Sequence, residues 1–127
     1  GGGLNLGLRD LARFGEMLRN RGQFNGQQIV PAAAVDDIRR GGDAAAFAKA
    51  GYKLLPGWTY RNMWWVTPNA HGAFAARGVH GQTVYIDPKA QMVIARFASH
   101  PVAGNAANDP TSLPAYEALG RLLAGER

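Results

Sequence analysis

Apolar and polar positions alternate with period two along residues 72–98, GAFAARGVHGQTVYIDPKAQMVIARFA, and this alternation predicts three short antiparallel strands. Thr83 and Tyr85 face one way while Val84 and Ile86 face the other, and Met92, Val93, Ile94, Ala95 and Phe97 form a further run of strand formers. Between these two runs lies Asp87-Pro88-Lys89-Ala90. Pro88 presets the backbone for a turn and the Asp87 carboxylate can accept from a nearby main-chain N–H, so the pair of runs reads as a hairpin. The strand before them ends in Arg77-Gly78-Val79-His80-Gly81, whose two glycines permit unusual backbone angles or the close approach of another group. A glycine-flanked strand end of this kind is where a substrate is to be sought.

A helical period governs other stretches. Leu11, Phe14 and Leu18 fall on one face of a helix predicted over residues 8–20, closed by Asn20-Arg21-Gly22. Asn25-Gly26 marks a tight turn between short flanks. Pro31 suits a first helical position, and residues 32–40 read as a second helix stopped by Gly41-Gly42. Asp43 is a plausible cap for one or two turns over residues 44–49. The aromatic segment Trp58 to Val66, WTYRNMWWV, reads as a strand. A long polar loop covers residues 99–110. A last helix is expected from Leu113 or Pro114 to Ala124, capped by Thr111 or Ser112, with Tyr116, Leu119, Leu122 and Leu123 on its buried side.

Composition narrows the classes of function. The 127 residues are 46% hydrophobic and 18% charged, enough for one unit with a core of its own. The absence of cysteine excludes a disulfide framework, a thiol nucleophile and a thiolate metal site, and leaves cytoplasm and periplasm equally open. The net charge of +5 comes from scattered arginines without a basic block or interleaved aromatics, so neither nucleic acid nor a membrane is an expected partner. The histidines at 71, 80 and 100 show no metal spacing, and no cofactor is expected. The start at Gly1-Gly2-Gly3, without Met, suggests a piece of something longer.

Several stretches taken together carry a resemblance: Gly1-Gly2-Gly3-Leu4, residues 8–15 (LRDLARFG), Ile29-Val30-Pro31, residues 60–65 (YRNMWW), and above all residues 75–82 (AARGVHGQ) with Tyr85-Ile86-Asp87-Pro88. In these the chain resembles bacterial serine hydrolases of the class C β-lactamase and penicillin-binding-protein superfamily, nearest to the 6-aminohexanoate-dimer hydrolase and esterase branches. The resemblance covers the chain but only the C-terminal part of that family, whose Ser-x-x-Lys nucleophile motif and partner Tyr lie upstream. Here the only serines are Ser99 and Ser112, and neither has a lysine three residues on. Tyr60-Arg61-Asn62 spells the family's Tyr-x-Asn but falls in the aromatic segment, where it reads as a coincidence.

The resemblance implies that Ala76-Arg77-Gly78 stands where the family has its Lys-Thr-Gly-like triplet. It further implies that the backbone N–H of Val79 is one of the two oxyanion donors, the other being the serine's own. In an intact site one such donor is worth roughly 3 to 4 kcal/mol of transition-state stabilisation. The departure from Lys-Thr-Gly removes the cation and hydroxyl that hold a β-lactam carboxylate, so a small linear amide or ester is the expected substrate of an intact parent. Arg77, Gly78 and His80 are candidate substrate contacts, and Asp109 is a candidate for meeting a cationic end of the substrate. The plainer roles are a bulge for Gly78 and Gly81, a structural hydrogen bond for His80, core packing for Trp58, Trp64 and Trp65, and a turn or cap for Asp109.

The expected architecture is therefore an α/β (α+β) fragment of the β-lactamase/transpeptidase-like fold. Residues 1–127 form a single unit, an antiparallel sheet of three or four strands flanked by helices. Such a fragment should leave a strand edge and an apolar face uncovered, to be met by the missing N-terminal part or by self-association. Two functions fit: the C-terminal portion of a serine hydrolase, inactive alone, or a free-standing scaffold used for binding or self-association.

Overall fold

The computed structural model describes residues 4–126; the glycine triplet Gly1-Gly2-Gly3 of the resemblance lies outside the described residues. The architecture is a mixed α/β arrangement. A five-stranded antiparallel sheet runs in chain order β3-β4-β5-β6-β7, and a separate two-stranded ribbon pairs β1 (Gln23–Phe24) with β2 (Gln27–Gln28). Helix α1 (Leu8–Arg19) opens the described chain, followed after the ribbon by α2 (Ala32–Arg40) and α3 (Ala44–Lys49). The sheet strands are β3 (Thr59–Arg61), β4 (Trp64–Val66), β5 (Phe74–Arg77), β6 (Thr83–Asp87) and β7 (Met92–Arg96), and α4 (Asp109–Leu123) closes the order.

The three strands expected over residues 72–98 are β5, β6 and β7, in register through Ala75 opposite Tyr85 and Tyr85 opposite Ile94. Their alternation sorts the core into two layers. Phe74, Val84 and Ile86 face α1 and α2, meeting Met17, Leu18 and Val35. Ala75, Tyr85 and Met92 face α4, where Tyr116 and Leu113 cover them. Helix α1 packs tightly at Gly15, where an added Cβ would stand 2.5 Å from Val93 Cγ1 and 3.1 Å from Val84 Cγ1. Phe14 lies at the margin of that face, stacked on Trp64 with ring centroids 6.4 Å apart.

The sheet has five strands rather than three or four because residues 58–66 do not form one strand. Asn62 and Met63 both adopt positive φ, 49° and 72°, folding the segment into the β3–β4 hairpin. Asn25 and Gly26 form the same kind of turn in the ribbon, with φ 48° and 76°. Asp43 caps α3 as expected, its Oδ1 accepting from the Ala45 and Ala46 N–H groups. Gly42 lies against β3, with room for a Cβ only 2.4 Å from the Tyr60 carbonyl. Beyond β7 no further strand pairs with the sheet among the described residues.

Helix α4 ends where expected but departs from expectation in its start and in its buried face. It begins at Asp109 rather than near Leu113, since Pro110 falls in a first turn where its missing N–H costs nothing, and Pro114 lies inside it. Thr111 and Ser112 are not its caps. Of the four residues expected on its buried side only Tyr116 is buried, while Leu119, Leu122 and Leu123 are 47%, 71% and 60% exposed. The helix turns Tyr116 and Gly120 toward the sheet, and no described element covers the leucines.

Candidate functional site

The candidate site is built on the C-terminal end of β5. Arg77 is its last residue and Gly78 continues in an extended conformation, φ −107° and ψ 176°. The chain then makes a short 3-10 turn over Val79–Gly81 before entering β6. Gly78 and Gly81 therefore frame a turn, closed by the Gly78 N–H donating to the Gln82 carbonyl at 2.9 Å. Within it His80 adopts φ 58° and ψ 20°, a left-handed conformation uncommon for a side-chain-bearing residue. Val79 is 62% exposed, and its N–H has no acceptor among the described residues.

Arg77 does not extend into open space. Its side chain is 6% exposed, Nη2 donates to Asp109 Oδ1 at 2.5 Å, and the guanidinium carbon lies 5.6 Å from the Trp58 ring centroid and 5.0 Å from that of Trp65. The ion pair is thus held against two aromatic faces, which favour a cation over the ring. The structure brings Arg77 and Asp109 together, with each serving the other. His80 Nδ1 donates to the His100 carbonyl at 2.7 Å, so His80 is fixed in place by the loop that follows β7.

Two hollows flank this wall. A small, partly open cavity of about 10 Å³ lies between the sheet and the start of α4, lined by Arg77, Thr83, Arg96, Asn105, Asp109 and Ser112, with room for about one water. Arg96 Nη1 donates to Ser112 Oγ at 3.0 Å and to the Tyr116 hydroxyl at 3.2 Å. Ser112 thus answers to an arginine, not a lysine. On the other side of Trp65 an open groove of about 480 Å³ is lined by Asp43, Phe47, Tyr52, Tyr60 and Trp65. Its rings meet edge to face, Tyr52 to Trp65 at 5.0 Å and Tyr60 to Trp65 at 5.4 Å. Sequence reasoning missed this groove because Phe47, Tyr52, Tyr60 and Trp65 come from a helix, a loop and two strands and share no period. The signal that was present is the high local density of aromatics from Tyr52 to Trp65.

The other singled-out residues have structural partners. Trp58 is 5% exposed and packs with Phe47 and Leu55, and Trp64 packs on Phe74 with centroids 5.4 Å apart. In Tyr60-Arg61-Asn62 the last two residues both bind Asp37, Arg61 Nη2 at 2.7 Å and Asn62 Nδ2 at 2.8 Å, so they hold the hairpin to α2. His71, just ahead of β5, bridges two carboxylates: Nδ1 is 2.7 Å from Asp87 Oδ2 and Nε2 is 3.1 Å from Glu126 Oε2. These bonds, the one to Asp87 first, raise its pKa above the ordinary imidazole value. Burial raises that of Tyr85, which donates no charge to the site. Among the described residues no cluster of three or more His, Cys, Asp or Glu is placed to hold a metal ion, and no helix is long and apolar enough to cross a membrane.

No protein-family model matches the chain. Over 101 residues, 79% of its length, it is 34% identical to the 6-aminohexanoate-dimer hydrolase of Paenarthrobacter ureafaciens, of which it spans 26%. A solved structure from Bacillus anthracis, assigned as a 6-aminohexanoate-dimer hydrolase, superposes on 94% of the chain with a TM-score of 0.74 and 37% identity, the chain spanning 29% of it. Fold and sequence together relate the chain to these hydrolases, of which it spans about a quarter to a third of the length. More narrowly, it is a relative of the 6-aminohexanoate-dimer hydrolases, consistent with their C-terminal portion.

Proposed function

We propose that this chain is one wall of a serine hydrolase acting on small linear amides or esters, supplying an oxyanion donor while the nucleophile comes from sequence outside these 127 residues. The observation that carries the reading is the Val79 N–H, unpaired on an exposed residue at the end of β5, in the stretch that most resembles the superfamily. A main-chain donor works whatever its side chain, provided it is aimed and not already bonded. Residues 1–127 act as a single unit, with Gly78 and His80 at the cleft edge and the Arg77–Asp109 pair behind them. The two relatives are both named for a hydrolase that acts on 6-aminohexanoate dimers, a linear amide, which supports this substrate class.

On this reading the chain alone does not hydrolyse. The test uses mass-confirmed chain with a p-nitrophenyl ester and a short linear amide, expected to give no turnover. The same chain joined to the part of a longer relative that carries Ser-x-x-Lys is expected to turn over. In that joined protein Val79→Pro removes the N–H, and Gly78 is already extended as a residue before proline must be; kcat should fall by roughly 100- to 1,000-fold. Turnover by the isolated chain that survives repurification would overturn the reading.

A second reading, a non-catalytic scaffold for binding or self-association, is favoured by the exposed leucines of α4 and the free edge of β7. Light scattering separates the two: a stable dimer of an inactive chain, with no gain of activity on joining, would favour the scaffold.

A further inference from the structure

The turn that presents Val79 is tied down by a segment distant in sequence. Gln82 lies flat against Ala98, its Oε1 accepting from the Ala98 N–H at 3.1 Å and its Nε2 donating to the Ala98 carbonyl. From there the chain runs back over the turn. The His100 N–H donates to the His80 carbonyl at 3.1 Å, the His80 N–H to the Ala103 carbonyl at 3.0 Å, and Asn105 Nδ2 to the Gly78 carbonyl at 3.0 Å. His80 Nδ1 adds its bond to the His100 carbonyl, and Arg96 Nη2 donates to His100 Nε2 at 2.5 Å. Gly81, at φ 90°, lets the His100 ring lie where a Cβ would be 2.4 Å away.

The result is selective. Gly78 has both its N–H and its carbonyl bonded, His80 likewise, and the Val79 carbonyl accepts from the Gln82 N–H at 3.3 Å. Of the six main-chain groups on these three residues, the Val79 N–H alone has no partner among the described residues. A donor that stabilises developing charge must be fixed before the charge appears, because reorganising it during reaction forfeits the gain. A turn held only by its own bonds would not be so fixed.

We propose that Asn105 and Gln82 are positioning residues that aim the Val79 N–H by strapping the 98–105 segment onto the turn. The inference rests on the oxyanion reading above and adds the side chains that prepare the donor. Neither residue contacts the reacting atoms. They act through Gly78, His80 and Ala98.

The test has two arms. In the 15N-labelled chain, Asn105→Asp keeps the shape but loses the donor to Gly78, and Gln82→Met keeps the length but loses both bonds to Ala98. Each variant is expected to speed amide exchange at His80 by about tenfold and to shift the Val79 cross-peak, leaving Phe74 to Arg77 unchanged. Unchanged exchange at His80 in both variants overturns the inference by itself. In the joined, active protein, the same variants are expected to lower kcat about tenfold with KM unchanged, the signature of a group felt in the transition state. If exchange moves as expected but Val79→Pro leaves kcat intact, the oxyanion reading has failed and the strap has no donor to aim.

Discussion

Asp87 and His71 meet at 2.7 Å in a place where the carboxylate is 1% exposed and the imidazole 8%, and the second ring nitrogen of His71 faces Glu126. A ring that faces a carboxylate on each side satisfies both only when both nitrogens carry protons. The fold has room for this cluster because α4 crosses it at Gly120, where a Cβ would lie 2.5 Å from Asp87 Oδ2.

The cluster predicts a pH dependence with a definite sign. The folded-state pKa of His71 is raised, by Asp87 first and Glu126 second, so its contribution to stability is complete below the unfolded imidazole value and is lost as pH rises through the folded one. Urea midpoints measured across that interval should fall with rising pH in the native protein. In His71→Gln the fall should flatten; an identical slope would assign the dependence to other groups.

The Arg77–Asp109 pair predicts an asymmetric pair of mutants. Asp109→Ala leaves a guanidinium buried between Trp58 and Trp65 without its anion and should cost about 3 to 5 kcal/mol in denaturant unfolding. The double variant Arg77→Met with Asp109→Leu should recover most of that loss. Equal loss in single and double variants would mean that the pair is not coupled.

Met63 is 78% exposed with φ 72°, so its side chain packs on little while its backbone adopts a conformation that disfavours any Cβ. Met63→Gly should raise the stability of the β3–β4 hairpin by up to about 1 kcal/mol, read as a higher thermal midpoint. A lower midpoint would show that the exposed thioether contributes more than the turn strain.

Gly15 marks a tight approach of α1 to the sheet. Gly15→Ala gains helix propensity but drives a methyl into Val93, and the clash should win by about 1 to 3 kcal/mol. Combining it with Val93→Ala, which opens the space, should restore part of the loss; failure to do so would place the strain elsewhere.

These residues also show what could be read before the fold was known. The two tight turns have the same backbone geometry, yet only Asn25-Gly26 announces itself, because glycine is the residue that adopts positive φ without cost; Asn62-Met63 adopts it with a side chain in the way. The apolar period of α4 was legible, but burial of Leu119, Leu122 and Leu123 needs a surface to cover them, and no pattern within a helix reveals whether one is present. At the candidate site, Gly78, Val79 and His80 stand out through a continuous motif. Their supports do not. Asn105 reaches Gly78 and Gln82 reaches Ala98 across loops and a strand, and hydrogen bonds made over such separations leave no periodic trace in the chain.

The in-order arrangement of the sheet bears on how the chain acquires its structure. Each strand pairs with the one before it, so every pairing closes only a short loop, and the hairpins can form one after another at little entropic cost. The helices arrive differently: α1 and α4 come from opposite ends of the chain and settle on opposite faces of β6 and β7. That hairpin is therefore where a short local closure meets closures that span most of the molecule. Its amides, Val84 to Ile86 above all, should be the last to exchange with solvent, and loosening either terminal helix should speed them together.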